Sequence, residues 1–162
     1  MVIESPLGAI AVEAGSNGVT RIDFLDESPR ADTHRLDGNG RAETHVASAV
    51  RQLGEYFAGH RRDFDLELQP TGTAFQLSVW HVLRGIAYGE TITYGEQARR
   101  LGRPTATRAV GAANGRNPLA IVVPCHRVVG SGGRLTGYAS GLERKEWLLR
   151  HEERVRSGHG GR

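Results

Sequence analysis

Cysteine occurs once in the 162 residues of this sequence. A single cysteine excludes a disulfide within the chain, and chains without disulfides are typical of a reducing cytosol. Long apolar segments are missing as well: no run approaches the roughly 20 residues of a membrane helix, and no basic-then-apolar signal segment opens the sequence. We therefore expect a cytoplasmic protein that makes no use of a membrane.

Potential metal ligands are also few. The histidines of the first half, His34, His45 and His60, have no cysteine and no cluster of carboxylates beside them. Structural zinc sites usually combine such ligands at close spacing. The sequence therefore predicts no metal site.

Charge is unevenly shared between the two halves of the chain, although the net charge is only +3. Residues 1–72 carry seven arginines against twelve aspartates and glutamates, a net charge of −5, whereas residues 73–162 carry fourteen basic residues against six glutamates, a net charge of +8. A basic second half is typical of a domain that binds a polyanion. Ordinary solvated surface gives the same pattern, so charge alone leaves both interpretations open.

Residues 1–68 have the pattern of a small α/β domain. Two turn-forming clusters near the start separate short apolar or alternating runs, which is typical of a β-hairpin or meander. A polar, glycine-containing stretch over 26–41 predicts a long loop. Apolar residues at helical spacing then predict a helix over 43–58, and alternation over 64–68 predicts a strand.

A linker, a second domain and a tail follow. Residues 69–72, Gln-Pro-Thr-Gly, are turn formers and predict the linker. The second domain spans 73–155, and we expect the glycine-rich segment 156–162 to be a disordered tail. Thr73, three residues before a glutamine, has the capping-box pattern that opens a helix predicted over 74–84.

Two short helices predict a helix-turn-helix in the second domain. Thr93 and Glu96 form another capping-box pattern, at the start of a helix that ends near Leu101. A three-residue turn with glycine leads to a second helix over 105–114, which carries Arg108. Small residues on this second helix would let its backbone approach either a groove floor or a neighbouring helix.

The only cysteine lies in the most informative stretch of the sequence. A run of apolar residues over 119–123, most of them branched, predicts a buried strand, and Pro124 ends it because proline has no N–H to donate. Cys125, His126 and Arg127 follow where a rigid strand meets a loop, which is a common place for chemistry.

A cysteine in this setting is either a buried structural residue or a nucleophile. Its free pKa is about 8.5, so it needs a base to become a thiolate at neutral pH. His126 can take the proton directly or through one water, and Arg127 adds positive potential. The flanking proline, histidine and arginine favour the nucleophile.

Seven ordered elements of the sequence resemble the O6-alkylguanine-DNA alkyltransferases, DNA-repair proteins that move an alkyl group onto their own cysteine. These elements extend from Phe75 to about Glu153, about half of the chain. The elements are Phe75-Gln76 with Val79-Trp80, Tyr88-Gly89-Glu90-Thr91 with Thr93-Tyr94, Arg108-Ala109-Val110-Gly111 with Ala113-Asn114, Asn117-Pro118, Pro124-Cys125-His126-Arg127-Val128, Gly137-Tyr138, and Lys145-Glu146-Trp147-Leu148-Leu149.

The resemblance implies a fold, a reaction and a partner. The fold is α/β + α: a small N-terminal ribonuclease-H-like α/β domain, then a mostly helical, winged-helix-like domain that contains the helix-turn-helix and the active site. The reaction moves the alkyl group of O6-alkylguanine, and as a further candidate O4-alkylthymine, irreversibly to the cysteine, once per molecule and with no cofactor. The partner is double-stranded DNA that contains the damaged base. We expect a monomer, and cooperative binding along DNA stays open.

For catalysis, the resemblance implies a chain of contacts that ends at the thiol of Cys125. His126 is the base and is linked to the thiol by a water. Glu152 in the last helix orients His126, with the adjacent Glu153 as the alternative. Asn117 connects the segment that carries the cysteine with the second helix of the helix-turn-helix, over 105–114, which is the recognition helix of the family.

For DNA binding, the resemblance implies an unusual minor-groove position for the recognition helix. Arg108 fills the gap that the flipped nucleotide leaves. Tyr94 presses on the target phosphate and can donate a proton to the guanine, so it is both a DNA-binding and a catalytic candidate. Arg103, at the turn before the helix, and Ser131, in a glycine-rich loop, are further DNA-binding candidates.

The base pocket is expected at Val128, Tyr138, Ala139 and Ser140. Many relatives carry serine or glycine in place of Ala139 and glycine in place of Ser140. Ala139 removes a hydroxyl that could bond O6, and Ser140 adds bulk that would narrow the tolerance for large alkyl groups.

Two other classes of function remain as alternatives. A helix-turn-helix regulator or an alkyl-damage sensor would bind DNA without chemistry, but the sensor form lacks the acceptor cysteine that this chain has. A Cys-His hydrolase would turn over repeatedly, and a redox sensor should carry a second cysteine to resolve a sulfenic acid.

Overall fold

The computed structural model describes residues 1–26 and 40–158. The chain divides into two compact units: the first comprises Met1–Thr71 with Pro118–Ala120, and the second comprises Gly72–Asn117 and the chain from Ile121 onward. Most of the loop predicted over 26–41 and the last four residues of the predicted tail lie outside the described residues.

The first unit contains the predicted meander. Strands β1 (Val2–Ser5), β2 (Gly8–Gly15) and β3 (Gly18–Phe24) form an antiparallel sheet in the order β1-β2-β3. The hydroxyl of Ser5 closes the first turn, because it donates to the carbonyl of Gly8 and accepts from the N–H of Leu7.

Helix α1 (Arg41–Phe57) packs against β2 and β3 and closes the core of this unit. It begins two residues before the predicted helix and ends one residue earlier. Its buried apolar side chains recur at helical spacing, as a helix on a sheet requires. The core side chains from the two elements include Ile10, Val12, Val19, Ile22, Val46, Ala49, Leu53 and Tyr56.

The strand predicted over 64–68 is wrong. Only Leu68 makes a bridge, to Val19. The amide of Gln52 donates to the carbonyl of Asp65 at 2.9 Å and accepts from its N–H at 2.8 Å, so a side chain replaces a neighbouring strand. Apolar, partly buried residues still alternate with exposed ones in this segment. The alternation in the sequence therefore indicates that one side of the segment is covered, but it does not indicate that the segment pairs in a sheet.

The second unit is mostly helical. Its elements in chain order are α2 (Ala74–Leu83), β4 (Ile92–Thr93), α3 (Tyr94–Arg100), α4 (Thr107–Gly115), β5 (Val128–Val129) and α5 (Leu142–Arg156). β4 and β5 pair in parallel, with Ile92 opposite Val128. Both hydrogen bonds of the predicted capping box, between Thr73 and Gln76, are present at the start of α2. The bounds of α2 match the predicted helix within one residue.

Helices α3 and α4 form the helix-turn-helix. At the start of α3, Thr93 accepts from the N–H of Glu96. The carboxylate of Glu96 pairs with two arginines of its own helix, so only half of the predicted capping box is observed. The turn spans 101–106, which is longer than predicted, because Gly102 takes a left-handed φ of 80° and adds a bend before α4 begins.

Two buried contacts fix the position of α4. The amides of Gln97 and Asn114 bond to each other in both directions, at 2.8 and 2.7 Å. The indole N–H of Trp80, which is buried, donates to the carbonyl of Ala113 at 2.8 Å. Each partner on α4 lies in its last turn, so these bonds hold the end of the helix that leads toward the cysteine.

Residues 119–123 are mostly buried but do not form the predicted strand. Leu119 makes one parallel bridge to Ile22, and the backbone turns directly afterwards. Ile121 has a φ of 73°, a conformation that branched side chains rarely adopt and that no ladder contains. The apolar run therefore pairs only at its start, where Ile22 donates to the carbonyl of Pro118 and accepts from the N–H of Ala120. The rest of the run is mostly buried without pairing, and the regular strand, β5, comes after the cysteine.

In the part of the chain that the structure describes, every helix is too short or too polar to span a lipid bilayer.

Candidate active site

Cys125 lies at the start of a single 3-10 turn, Cys125–Arg127, between Pro124 and β5. The ladder between β4 and β5 fixes the chain directly after this turn. Cys125 is 9% exposed and lines a cavity of about 560 Å³. The thiol is therefore enclosed by protein but reachable from the cavity.

Three elements contribute to the lining of this cavity beside the cysteine. α4 contributes Arg108 and Gly111, α3 contributes Tyr94, and the segment 136–139 contributes the rest of the wall. Gly111 has no side chain, and a Cβ there would lie 3.9 Å from the ring of Tyr94. The small residue on α4 thus leaves room beside the tyrosine.

His126 and Glu152 form a fully buried pair. Nε2 of His126 lies 2.7 Å from a carboxylate oxygen of Glu152, and both side chains are 0% exposed. The adjacent Glu153 is exposed on the other side of α5. Of the two glutamates that the sequence left open, Glu152 is the one in contact with the histidine.

Arg127 holds the other side of this carboxylate. Its Nε donates to Glu152 at 2.8 Å and its Nη2 at 3.1 Å, while its Nη1 donates to the carbonyl of Ile86 at 2.7 Å. The N–H of Gly89 donates to Glu152 as well, at 3.2 Å. The expectation that Arg127 adds positive potential at the thiol is wrong, because the bidentate fork points to Glu152 instead.

These contacts define the ionisation of the pair. Burial alone would raise the pKa of Glu152, but the charges and hydrogen bonds of His126 and Arg127 outweigh burial and hold that pKa well below its usual range. Burial, together with the positive charges of Arg127 and Lys145, lowers the pKa of His126, although the charge and the hydrogen bond of Glu152 act in the opposite direction. At neutral pH Glu152 is a carboxylate and His126 is neutral.

A neutral His126 beside a carboxylate has one available tautomer. Glu152 can only accept, so Nε2 of His126 carries the proton and Nδ1 is an acceptor. Nδ1 is buried and has no hydrogen-bond partner among the residues described here. The arrangement therefore presents a basic nitrogen, fixed by Glu152, that is available to take a proton.

Burial raises the pKa of Cys125, and two neighbours oppose the rise. They are a hydrogen bond from the side chain of Asn117 and the positive charge of Lys145. Asn117 also donates from Nδ2 to the carbonyl of Val123 at 2.8 Å, and its main-chain N–H donates to Asn114 at the end of α4. Asn117 thus connects α4 with the segment that carries the cysteine, as the sequence suggested.

The side chain of Tyr94 is hydrogen-bonded to the backbone of the cavity wall. Its hydroxyl lies 3.0 Å from the carbonyl of Thr136 and 3.1 Å from that of Gly137, and burial raises its pKa, so the phenol remains protonated and donates. Gly137 has a φ of 55°, and a Cβ at this position would come within 3.0 Å of the tyrosine oxygen. Glycine is required here by both conformation and space.

Apart from Tyr94, which is half-buried, the candidate DNA-binding residues are exposed. Arg108 lines the cavity from α4. Arg103 lies over the ring of Phe75, with its guanidinium carbon 5.6 Å from the ring centre. Ser131 opens a short 3-10 turn and is not among the residues that line the cavity. Their contacts with DNA remain predictions.

The candidate pocket residues divide into two groups. Tyr138 and Ala139 line the cavity. Val128 is completely buried in β5, and Ser140, whose carbonyl accepts from Arg144, is also absent from the lining. The first two are placed where a base could reach them, and the pocket roles of all four remain predictions.

The structure places further residues at the cavity that the sequence did not single out. Thr107 and Thr136 line it, Asn114 lines it too although the sequence gave that residue only as part of a motif, and Lys145 donates to the Thr136 carbonyl. Lys145 opens one motif of the resemblance and is the only lysine of the chain, but neither signal placed it beside the cysteine. Among the described residues, no three histidine, cysteine or acidic side chains come close enough to hold a metal ion.

Two family models match the chain, one for each part. The model described as "6-O-methylguanine DNA methyltransferase, ribonuclease-like domain" matches residues 1–70, and the one described as "6-O-methylguanine DNA methyltransferase, DNA binding domain" matches residues 74–154. The chain belongs to the 6-O-methylguanine DNA methyltransferase family. This membership and the two units of the structure confirm the expected fold class.

The chain is similar to methyltransferases over most of its length. A methylated-DNA–protein-cysteine methyltransferase of Methanosarcina acetivorans is 49% identical over 93% of this chain and 96% of its own length. A protein of the same name from Salmonella typhimurium is 60% identical over 74% of this chain and 71% of its own length.

Solved structures show the same likeness. The crystal structure of Mycobacterium tuberculosis OGT in complex with DNA superposes with a TM-score of 0.84 at 44% identity, over 95% of this chain and 92% of that one. An O6-methylguanine DNA methyltransferase from Methanococcus jannaschii gives a TM-score of 0.67 at 28% identity, over 94% and 93% of the two chains.

Proposed function

We propose that this protein repairs duplex DNA by moving the alkyl group of O6-alkylguanine onto its own Cys125. The observation that carries the proposal is the histidine that directly follows the only cysteine. This residue, His126, forms a buried pair with Glu152, and Cys125 lines a cavity. Family membership supports the same reaction, since the relatives are named for transfer from methylated DNA to a protein cysteine.

The transfer balances as a simple displacement. The thiol of Cys125 gives its proton to Nδ1 of His126, directly or through one water, and the thiolate attacks the alkyl carbon in line. A carbon–sulfur bond forms, the bond from carbon to O6 breaks, and the electron pair remains on the guanine. The guanine then takes up one proton, for which the donor is the hydroxyl of Tyr94, a residue of the cavity lining; to donate it, the hydroxyl must exchange its bonds to the carbonyls of Thr136 and Gly137 for one to the base. The reaction requires no cofactor.

Each remaining residue has a role in presenting the base. The alkyl carbon is shielded inside the stack, so the nucleotide must rotate out of the duplex, at a cost of a few kcal/mol. Arg108 fills the gap, Tyr94 presses on the phosphate, and Arg103 and Ser131 contact the backbone. Tyr138 and Ala139 then contact the base, Val128 and Ser140 support the pocket from behind its lining, and Asn117 keeps the helix and the cysteine segment in register.

The product is a thioether, which is not cleaved under cellular conditions, so each molecule acts once. We propose O6-methylguanine as the first substrate, with O4-alkylthymine as a further candidate. We also propose a cytoplasmic protein that acts as a monomer, with domain limits at 1–68, 69–72, 73–155 and a tail over 156–162.

A stoichiometry experiment tests the proposal. Duplex DNA with one O6-methylguanine is mixed with increasing protein, and the repaired guanine is counted after digestion to nucleosides. We expect repair to stop at one guanine for each protein chain. Repeated turnover would favour a hydrolase, and selective binding of the damaged duplex without repair would favour a damage sensor.

A further inference from the structure

Lys145 is the only lysine of the chain, and its side chain lies inside the protein. It is on the first turns of α5 and is 0% exposed. Burying an ammonium group is costly unless hydrogen bonds and an opposite charge compensate for the lost water. A buried lysine therefore needs an explanation, and the reaction derived above does not use it.

The contacts of Lys145 all lie at the cavity wall. Nζ donates to the carbonyl of Thr136 at 2.7 Å and lies 3.5 Å from that of Gly137. It is 5.7 Å from the centre of the Tyr94 ring. Thr136, Gly137 and Tyr94 line the same cavity as Cys125.

These contacts satisfy the hydrogen atoms of the ammonium but do not neutralise its charge. Two carbonyls and an aromatic face are its partners, and within the described residues no carboxylate pairs with it. Arg127, which the sequence suggested as the cation beside the thiol, is bound to Glu152. Directly behind the cavity wall lies one buried cation without a fixed anion among the described residues, and the cavity itself is lined by one buried thiol that must become an anion.

We propose that Lys145 is the counter-charge of the Cys125 thiolate, held at the cavity wall by the carbonyls of Thr136 and Gly137. The inference rests on the proposed transfer to Cys125. Lys145 acts through the sulfur and does not touch the DNA base, so it is a positioning residue. It explains how a thiol enclosed by protein ionises.

The charges around the pair support this assignment. The positive charge of Lys145 opposes the rise that burial causes in the pKa of Cys125. Burial lowers the pKa of Lys145 to about 8, and the negative charge of Cys125 opposes that fall. The other titratable groups that face the pair are Tyr94, whose pKa burial raises, and His126, whose pKa burial lowers. Both are neutral near pH 7, so neither competes for the charge.

A consequence follows for the reacted protein. Alkylation turns the thiolate into a neutral thioether, and Lys145 then loses the one anionic group that acts on it among the described residues. Its pKa should fall, because burial still disfavours the ammonium and no charge opposes burial. Lys145 therefore reports on the ionisation of Cys125.

Lysine NMR tests the inference directly, because a protein grown with ¹³C-labelled lysine gives signals from Lys145 alone. The titration of Lys145 is compared between the unmodified protein and Cys125→Ser. We expect a higher pKa in the unmodified protein, and a second inflection where the thiol ionises. The same curve in both proteins would overturn the proposal, and this comparison leaves the lysine in place.

Thiol reactivity gives the complementary test. The rate of alkylation of Cys125 by iodoacetamide is measured against pH for Lys145→Met, for Lys145→Arg, and for Arg150→Met, which removes an exposed charge from the same helix. We expect Lys145→Met to raise the apparent pKa of the thiol by about one unit. The alkylation rate at neutral pH should then fall about tenfold, because less of the thiol is ionised. Lys145→Arg should restore much of the rate, and Arg150→Met should match the unmodified protein.

An unchanged pH profile in folded Lys145→Met would contradict the inference. If that variant does not fold, the lysine titration decides. Neither test contains DNA, so a failure of methyl transfer from DNA would refute the proposed function while leaving the charge pair measurable.

Discussion

At the scale of single residues, the site depends on one carboxylate. Glu152 accepts hydrogen bonds from His126, Arg127 and the N–H of Gly89. The sequence predicted the histidine and the glutamate through a resemblance, but it could not choose between Glu152 and Glu153, since neighbours on a helix differ only in the side they face. It also misplaced Arg127, because nothing in a linear motif tells which partner a long side chain reaches.

A matched pair of variants tests the role of Glu152. We expect Glu152→Gln to slow methyl transfer on the order of a hundredfold, because the amide neither fixes the tautomer of His126 nor neutralises Arg127. Glu153→Gln changes the exposed neighbour and should react at the unmodified rate. The measurement is single-turnover transfer from duplex DNA at saturating protein. Equal rates for the two variants would show that the buried pair does not assist the reaction.

At the scale of elements, helix starts were predicted best. The capping box at Thr73 needs only residues three apart, and the structure contains both of its bonds. The strands over 64–68 and 119–123 were wrong, because short alternating or apolar runs report burial and not pairing. What prevents each strand cannot be read from the run itself. In the segment 64–68, the side chain of Gln52 bonds to the backbone where a neighbouring strand would pair. In the segment 119–123, the positive φ of Ile121 bends the backbone out of an extended conformation.

The amide pair between α3 and α4 gives a prediction at this scale. Gln97→Met leaves the buried amide of Asn114 without its partner, which should cost roughly 1–3 kcal/mol in the free energy of unfolding. The double variant with Asn114→Leu should lose less than the sum of the two single losses, as residues in contact usually do. Urea unfolding of the four proteins measures this coupling, and additive losses would show that the pair does not join the two helices.

At the scale of the whole molecule, the chain joins an acidic first half to a basic second half, and the family model for a DNA-binding domain covers the basic one. The charge pattern alone was also compatible with an ordinary solvated surface. The match of residues 74–154 to the model of a DNA-binding domain favours the other interpretation, a second half that binds a polyanion. The fold class followed from the motifs of the second half, whereas the first half gave only a weak local pattern of strands and one helix.

Salt dependence tests this division. Binding to duplex DNA should weaken as salt rises, because basic side chains release counterions from the phosphates. We expect Arg108→Ala to lower the affinity, since it removes an exposed basic side chain beside the cavity, for which we propose a contact with DNA. Arg51→Ala removes an exposed arginine from the acidic half and should leave affinity and salt slope unchanged. An equal effect of both changes would mean that net charge alone determines binding.

The most direct test of the central claim is the mass of the intact protein after reaction with duplex DNA that holds one O6-methylguanine. We expect the unmodified chain to gain the mass of one methylene group, carried by Cys125, and Cys125→Ser to gain nothing. No gain in the unmodified protein, or the same gain in both proteins, would contradict transfer to Cys125.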